Sequence, residues 1–284
     1  MIRWRAYAKI NLALEVRGLR PDGFHEIESW VQTIDLADAI AVDVHEGAIC
    51  VENDLDLRGG RDLAEVAAEA VLGAKGCALG AEIQIHKGIP AGAGLGGGSS
   101  DAAAVLHAVD HLTPPELSEK TLLTLAAGIG SDVPLFLTGG RLAMRGRGEQ
   151  IDRSSNAASE TYVLLLPPVS CDTRCVYQAW DELETTGSEP LVLGRNALRV
   201  PALAVYPELA KYDEAIQALG DGFGLYAGMS GSGSAFYVAC PSVEEADAVA
   251  GSLGQAFPEA RVRRCAPTRV GHEMVEEGRR ENCD

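Results

Sequence analysis

A glycine-rich run between residues 89 and 101 contains the residue types that most directly imply chemistry in this sequence. It reads Ile-Pro-Ala-Gly-Ala-Gly-Leu-Gly-Gly-Gly-Ser-Ser-Asp and follows an alternating segment, 81–87, that predicts a strand. Glycine has no Cβ and adopts positive φ, so consecutive N–H groups can point into one concave site. A helix predicted over 100–112 adds free N–H groups and the positive end of its dipole. Together these elements predict a phosphate-binding site.

Two common nucleotide-binding motifs fit this run poorly. A Walker A loop is excluded because no Gly-Lys-Ser/Thr ending is present. The spacing Gly92-x-Gly94-x-x-Gly97 formally matches a dinucleotide fingerprint, which also requires a second strand ending in an acidic residue about 20 positions later. That region, 112–118, carries two prolines and predicts a loop instead. The plain alternative is a glycine-rich structural turn.

Composition limits the classes of protein that this chain can represent. Its 284 residues suffice for one large domain or two ordinary ones. A net charge of −17 opposes nonspecific binding to nucleic acid or to an anionic membrane. No apolar stretch is long enough to span a bilayer, and Lys9, Asn11 and Glu15 interrupt the region where a secretion signal would lie. Seven scattered cysteines without Cys-x-x-Cys or zinc spacing favour free thiols and a cytoplasmic location.

The elements that must position the glycine run follow from hydrophobic periodicity. Residues 2–16 alternate and predict a long strand, or two strands joined by a bend, with Tyr7, Lys9 and Asn11 on one face. The pattern predicts further strands at 28–34, 39–44, 162–166 and 260–266, and one ending at residue 239. Helices are predicted over 62–75, 100–112, 116–127, 173–184, 207–219 and 243–253. The sequence also predicts a helix start at 128–134, capped by Ser131 or Asp132, a domain boundary within 152–160 and a frayed tail from 276.

Three separated segments resemble the motifs of the GHMP kinases, a family that includes galactokinase, homoserine kinase and mevalonate kinase. Residues 90–101 resemble the phosphate-binding motif, 8–12 (Ala-Lys-Ile-Asn-Leu) the N-terminal motif and 229–234 (Met-Ser-Gly-Ser-Gly-Ser) the C-terminal glycine motif. The resemblance implies the α/β class, more closely the two-domain α+β GHMP kinase fold. It implies a ribosomal-protein-S5-domain-2-like domain over 1–153, a ferredoxin-like α+β domain over 154–284 and an active site in the cleft between them.

Within this family, residues 20–25 and 130–134 resemble members that act on a cytidylylated methylerythritol. That resemblance implies ATP-dependent phosphorylation of its 2-hydroxyl, a step of non-mevalonate isoprenoid biosynthesis. The implied partner is a small cytidine diphosphate substrate, with no nucleic acid and no membrane, and the chain is expected to be a monomer or a weak homodimer.

Two charged residues are the implied catalytic pair. Asp132 lies where the family places a catalytic aspartate and is the candidate general base; without the resemblance it would be interpreted as a helix N-cap. Lys9 is its expected partner, because an ammonium within about 4–6 Å keeps a carboxylate ionised and can stabilise the developing alkoxide or the phosphoryl group. Without the resemblance, Lys9 would be interpreted as a solvated lysine on a polar strand face.

The ATP site implied by the resemblance is the glycine run and the lysine before it: Lys87, Pro90, Ala91, Gly92, Ala93, Gly94, Leu95, Gly96, Gly97, Gly98, Ser99 and Ser100. Mg²⁺ is expected because it bridges donor phosphates; its protein ligands stay open among Ser99, Ser100 and Glu149. Asp62 and Ala197 stand where relatives often carry Asn and Asp, respectively, so the adenine contacts also stay open.

The implied acceptor site consists of Asn11, Phe24, His25, Asp132, Thr173 and Tyr177. His25 is expected to recognise cytosine, with the base between the rings of Phe24 and Tyr177. The plain alternative makes Phe24 a core residue and His25 a loop histidine.

Other functions remain as alternatives. They are a GHMP kinase for homoserine, mevalonate or a sugar, a non-catalytic nucleotide-binding relative, and a dinucleotide oxidoreductase. The segment Asp22-Gly-Phe-His25 disfavours a kinase for another alcohol, and the presence of both Lys9 and Asp132 disfavours a non-catalytic relative. The missing second strand disfavours a dinucleotide oxidoreductase.

Overall fold

The computed structural model describes residues 1–54, 61–153, 160–183, 189–223 and 226–276. Its strands are β1 (Ile2–Leu19), β2 (His25–His45), β3 (Cys50–Asn53), β4 (Gly80–His86), β5 (Arg141–Gly146), β6 (Gln150–Arg153), β7 (Thr161–Leu166), β8 (Ala227–Met229), β9 (Phe236–Cys240), β10 (Arg261–Cys265) and β11 (His272–Glu276). Its helices are α1 (Leu63–Lys75), α2 (Gly97–Leu112), α3 (Glu119–Ile129), α4 (Val133–Thr138), α5 (Thr173–Glu182), α6 (Arg199–Val205), α7 (Ala210–Phe223) and α8 (Val243–Ala256).

These strands form two sheets. The larger sheet has the order β11-β1-β2-β4-β3, with β5 paired to β2 and β6 paired to β5. The smaller has the order β10-β7-β9-β8. One core cluster fills the space between the larger sheet and helices α1, α2 and α4, and a second joins the smaller sheet to α5–α8. A third lies between the two sheets, where Ile10 and Leu12 share a cluster with Tyr162 and Tyr237. The fold is therefore a two-layered α+β architecture in each half.

The long β1–β2 hairpin replaces a predicted set of shorter strands. The sequence pattern indicated separate strands at 28–34 and 39–44, but β2 is continuous from residue 25 to 45. Its antiparallel partner β1 explains the difference, because the register passes from Tyr7↔Ala37 to Ala8↔Ile34 and residues 35 and 36 fall in a bulge. A bulge leaves extra residues unpaired without ending the strand.

Local signals set the ends of several helices, and the predicted end of the first one near Gly76 is confirmed. The Asp62 side chain accepts from the Ala64 N–H to cap α1, and Gly76 ends that helix in the left-handed conformation. Ser118 caps α3 in the same way. In contrast, α2 begins at Gly97, three residues before the predicted start at 100, and its Gly96 cap offers no side chain. The amides of the first turn of α2 therefore receive no side-chain cap.

The last described strand returns to the first sheet. β11 pairs antiparallel with β1, so a segment near the chain end packs on the half that contains the glycine run. Periodicity did not predict β3, β5, β6, β8, β11 or α6. The predicted boundary stretch 152–160 lies mostly outside the described residues, as does the predicted frayed tail beyond residue 276. No helix among the described residues is both long and apolar enough to cross a bilayer.

Candidate active site

A cavity of about 1400 Å³ lies where segments of both halves meet. Its lining includes Lys9 and Asn11 from β1, the glycine run, Asp132 at the start of α4, and Thr173 and Tyr177 from α5. The glycine motif that precedes β9 contributes Gly231 and Ser232. Every residue predicted for the ATP or acceptor sites lines this cavity except Ser100, which is buried behind it.

The glycine run makes close backbone contacts that a side chain would prevent. Gly94 has a φ of 74°, and a Cβ there would collide with the carbonyl oxygen of Ser230. Gly96 has a φ of 73°, and its Cβ would lie 2.8 Å from the Phe136 ring and 3.3 Å from Cε of Lys9. Both positions therefore require glycine for conformation and for space.

Hydrogen bonds join the glycine run to the second glycine motif, 229–234. The Ser230 hydroxyl donates to the Gly94 carbonyl at 2.9 Å and accepts from the backbone N–H of Asn11 at 3.2 Å. The amide of Asn196 donates to the carbonyls of Met229 and Gly231, both at 2.8 Å. Three segments predicted separately thus form one connected backbone framework. The sequence pattern did not single out Asn196 or Ser230 for this role, because buried polar side chains give no periodic signal.

Lys9 projects into this framework. Its Nζ donates to Asn11 Oδ1 at 2.6 Å and to the Gly94 carbonyl at 2.8 Å, and it lies 3.8 Å from Asp132 Oδ2. The lysine side chain is 6% exposed, which excludes the alternative of a solvated lysine. Burial lowers the pKa of Lys9, and the negative charge of Asp132 partly opposes that shift. The Lys9 ammonium is therefore held at the glycine run by two oxygen atoms that accept its hydrogen bonds.

Asp132 occupies the N-cap position of α4 but does not cap it. Its backbone is already helical, with φ −89° and ψ −9°, and its carboxylate makes no side-chain cap hydrogen bond. The side chain is 33% exposed and faces the cavity. Burial raises the pKa of the Tyr177 phenol, and the charge of Asp132 raises it further. The carboxylate is thus available to a ligand, between Lys9 on one side and Tyr177 on the other.

An aromatic cluster forms the other end of the cavity. The His25 ring stacks on Tyr177 with centroids 4.7 Å apart, meets Trp180 edge-on at 5.5 Å, and places Nε2 2.8 Å from Asp181 Oδ1. Phe24 is exposed, with the Arg147 guanidinium 5.0 Å above its ring. Phe24 is therefore not a core residue. The predicted roles of Phe24, His25 and Tyr177 in base binding stay predictions, and the sequence did not point to Trp180, Asp181 or Arg147.

The remaining predicted residues have varied surroundings. Thr173 Oγ1 lies 2.9 Å from the Ser232 hydroxyl, which links α5 to the second glycine motif. Ser100 donates to the Tyr7 carbonyl at 2.7 Å, so its hydroxyl is already engaged.

Lys87 contacts two buried carboxyl groups, those of Asp38 and Asp101. Asp62, the residue that departs from the usual Asn, caps α1 and accepts from Asn53 at 3.0 Å.

No cluster of three or more His, Cys, Asp or Glu side chains suited to a metal occurs among the described residues. Of the three expected magnesium ligands, Ser99 is partly buried in the first turn of α2 and lines the cavity. Glu149 instead accepts from the Arg147 N–H at 2.7 Å, in the turn between β5 and β6.

Fold and site together define a small-molecule kinase. The sequence model of the GHMP kinases N terminal domain matches residues 62–140, and that of the GHMP kinases C terminal matches residues 191–259. The chain belongs to the GHMP kinase family, which confirms the resemblance inferred from the three motifs.

Curated relatives are more specific. The 4-diphosphocytidyl-2-C-methyl-D-erythritol kinase of Desulfitobacterium hafniense (strain Y51) is 39% identical over 264 residues, which cover 86% of this chain and 89% of that protein. The protein of the same name from Carboxydothermus hydrogenoformans is 35% identical over 259 residues, which cover 85% of this chain and 89% of that protein.

Solved structures agree with this relationship. A crystal structure of 4-(cytidine 5'-diphospho)-2C-methyl-D-erythritol kinase superposes with a TM-score of 0.72 at 34% identity, covering 93% of this chain and 99% of that one. Homoserine kinase from Cytophaga hutchinsonii also gives a TM-score of 0.72, at 18% identity, covering 96% of this chain and 97% of that one. The second likeness shows the fold alone, and the predicted two-domain GHMP kinase fold is confirmed.

Proposed function

We infer that the chain transfers a phosphoryl group from ATP to the 2-hydroxyl of 4-diphosphocytidyl-2-C-methyl-D-erythritol, a step of non-mevalonate isoprenoid biosynthesis. It is an ATP-dependent phosphotransferase with an alcohol as acceptor. The observation that carries this conclusion is the meeting of Lys9 and Asp132, 3.8 Å apart, beside the Gly94 carbonyl of the glycine run. Relatives that are 35–39% identical over 85–86% of this chain carry the same function in their names.

Asp132 is proposed as the general base. Phosphoryl transfer needs the acceptor oxygen in line with the γ-phosphorus, and a positioned carboxylate can orient the hydroxyl and take its proton. Asp132 suits that role because its side chain makes no cap hydrogen bond and faces the cavity. The adjacent ammonium of Lys9 favours the ionised carboxylate, which is the form that accepts a proton.

Lys9 is proposed to stabilise negative charge in the transition state. Two of its N–H groups donate to Asn11 Oδ1 and to the Gly94 carbonyl, so the ammonium is held in one position before the substrates bind. A preorganised cation in a site with little water stabilises developing charge more strongly than the same cation in solution. The ammonium can therefore act on the acceptor alkoxide or on the transferred phosphoryl group.

ATP is the phosphate donor of this family, and its phosphates are proposed to bind the backbone of residues 90–100 and the first turn of α2. That turn begins after a glycine with no side-chain cap, so the free N–H groups of the helix start are open to an anion. Lys87 is proposed as a further contact from the edge of the same cavity.

The residues at this site fit Mg²⁺. Kinase magnesium sites use few protein oxygens and rely on donor phosphates for the rest. Ser99 offers a hydroxyl from the first turn of α2, at the wall of the same cavity. Mg²⁺ held there with the donor phosphates would neutralise charge on the transferred group.

Cytosine is proposed to bind at the aromatic end of the cavity, where Phe24, His25 and Tyr177 line the wall with Thr173 and Asn11 nearer the reaction centre. A pyrimidine ring gains stacking energy on such surfaces, and a histidine supplies a hydrogen-bonding edge. The predicted boundary at 153/154, the monomeric or weakly dimeric state and the cytoplasmic location are retained as parts of the proposal.

The decisive test is ADP release by purified protein with ATP, magnesium and the cytidylylated methylerythritol. Turnover is expected with this acceptor and not with homoserine, mevalonate or a hexose at the same concentration. Turnover with one of those alcohols alone would assign a different acceptor, and ATP binding without any turnover would favour a non-catalytic relative.

A further inference from the structure

Three buried ionisable residues lie beside the glycine run, and the function proposed above gives no role to two of them, Asp38 and Asp101. Lys87 Nζ is 2.5 Å from Asp38 Oδ2 and 2.6 Å from Asp101 Oδ2. The side chains are 9%, 0% and 2% exposed for Lys87, Asp38 and Asp101, respectively. Charges this deeply buried are expensive to desolvate unless they are paired.

The positions of these residues in the chain are informative. Lys87 lies two positions before the glycine run and Asp101 is its last residue, in α2, so their ion pair joins the two ends of the segment 88–100. The amides of that segment are the ones proposed to receive the donor phosphates. A Cβ on Gly97 would lie 3.3 Å from Lys87 Nζ, so the ammonium sits against the first turn of α2.

Asp38 anchors this contact to the larger sheet. Besides the ammonium, it accepts the backbone N–H groups of Gly88 at 2.7 Å and Ile89 at 2.8 Å through Oδ1. Asp38 belongs to β2, which pairs with β1 and so shares a sheet with Lys9. The segment leading to the run is thereby held at a fixed distance from the proposed reaction centre.

Burial and charge both act on this contact. Burial alone would lower the pKa of Lys87, but the interactions with Asp101 and Asp38 outweigh burial and raise it, so the ammonium form is favoured. Burial, assisted by Asp38, raises the pKa of the Asp101 carboxyl above its usual range, and Lys87 opposes that shift. Oδ1 of Asp101 is buried with no hydrogen-bond partner among the described residues, and Oδ2 contacts Lys87.

We propose that Asp38, Lys87 and Asp101 form a loop clasp that closes the ends of residues 88–100 and sets their backbone for the donor phosphates. Asp38 and Asp101 are positioning residues for ATP in this scheme, since they act through the loop. Holding a loop in its bound shape before the ligand arrives reduces the ordering cost of binding. The role of the clasp rests on the proposed use of ATP and adds to the donor contact proposed for Lys87.

The same helix provides a matched control. Lys75, the last residue of α1, and Asp110, in the last turn of α2, form another buried pair, 2.6 Å apart with side chains 6% and 5% exposed. Asp110→Asn alters a lysine-paired carboxyl of the same helix but far from the glycine run. If the clasp only stabilised the fold, Asp101→Asn and Asp110→Asn would change the Kd for ATP equally.

The first experiment measures ATP binding by calorimetry without acceptor, so it does not depend on turnover. The loop clasp predicts a Kd for ATP raised at least about tenfold in Asp101→Asn and changed less than about twofold in Asp110→Asn. Kinetically, the KM for ATP rises while the KM for the acceptor stays near its original value. Equal ATP affinities in the two variants would overturn the proposal.

The second experiment measures hydrogen exchange of the amides of residues 88–100 in the protein without nucleotide, which requires no assumption about the substrate. Faster exchange is expected in Asp101→Asn and in Lys87→Met, with the double variant no faster than Lys87→Met, because Lys87→Met already removes the contact that Asp101→Asn removes. Unchanged exchange in this segment for both single variants would equally refute the clasp. If either variant unfolds, the other supplies the measurement.

Discussion

The hydroxyl of Ser230 donates to the carbonyl of Gly94, 136 residues away in the chain, at 2.9 Å. The same hydroxyl accepts the N–H of Asn11, so one buried side chain holds both glycine motifs and the strand that carries Lys9. A single fully buried hydroxyl thus fixes the relative positions of three parts of the proposed active site.

Ser230→Ala should weaken both the fold and donor binding. Loss of the hydroxyl leaves the buried Asn11 N–H without this partner, which costs about 1–3 kcal/mol of the free energy of unfolding, while the Gly94 carbonyl keeps its hydrogen bond from Lys9. We expect the KM for ATP to rise as well, because Gly94 belongs to the glycine run that is proposed to bind the ATP phosphates. Ser242→Ala is the control: it removes the N-cap of α8, where Ser242 accepts from Glu245, and should lower stability alone. An unchanged KM for ATP in Ser230→Ala would contradict the link between the motifs.

Asp132→Asn should reduce kcat at least about 10²-fold, the lower range for loss of a positioned base. The amide keeps the size of the side chain but cannot accept the proton of the hydroxyl. Asp132 makes no cap hydrogen bond, so the variant should stay folded, with a modest loss of stability because the buried Lys9 ammonium loses its opposite charge. Near-normal turnover in a folded Asp132→Asn protein would remove the base assignment.

The pH dependence of kcat/KM should reveal the buried lysine. Burial lowers the pKa of Lys9 despite the opposing effect of Asp132, so its ammonium loses the proton at a pH below the value of about 10.4 for a free lysine. We therefore expect kcat/KM, which reports groups of the free enzyme, to fall on the alkaline side before that pH is reached. Lys9→Arg keeps the charge throughout this range, and its residual kcat/KM should not show the same alkaline fall. An identical fall in Lys9→Arg would assign the titration to another group.

His25→Ala should weaken competitive inhibition by CMP about tenfold or more. The variant removes a ring that stacks on Tyr177 and the proposed hydrogen-bonding edge for cytosine. His45→Ala, at an exposed histidine bonded to the neighbouring Glu46 carbonyl, serves as the control. Equal inhibition constants for the two variants would argue against base binding at His25.

Acid should destabilise the fold through a buried histidine pair. His107 Nδ1 contacts His272 Nε2, and His272 Nδ1 lies 3.0 Å from the Phe136 carbonyl. Burial lowers the pKa of His272 to about 3, assisted by His107, and burial also lowers the pKa of His107. Below a pH of about 6.5 the unfolded chain binds protons that the folded protein excludes, so stability falls as the pH falls, by about 1.4 kcal/mol per pH unit for each excluded proton.

Urea unfolding at several pH values between 7 and 4 measures this effect. His272→Asn can still donate to the Phe136 carbonyl but has no imidazole to protonate, so its stability should depend less steeply on pH. His86→Asn, at an exposed histidine, should retain the original slope. The same slope in His272→Asn as in the original protein would exclude the histidine pair as its source.

Much of the local structure could be predicted because its causes are local. Alternation of apolar residues identified β1, and the Asp62 and Gly76 caps set the ends of α1. The glycine run predicted a phosphate site, because dense glycines before a helix start can turn several N–H groups toward an anion. Lys9 and Asp132 could be proposed as a pair only through the family resemblance, because neither residue alone indicates more than a surface charge or a cap.

By itself, the sequence determined the identity of the glycine loop, the alternating first strand and the family to which the chain belongs, since these depend on residue type and short spacing. Only the tertiary structure decided that β2 continues through a bulge, that β11 returns to β1, and that Asp38 meets Lys87. Such contacts form between residues tens or hundreds of positions apart. Their geometry depends on strand register and sheet packing, which no local pattern of hydrophobicity specifies.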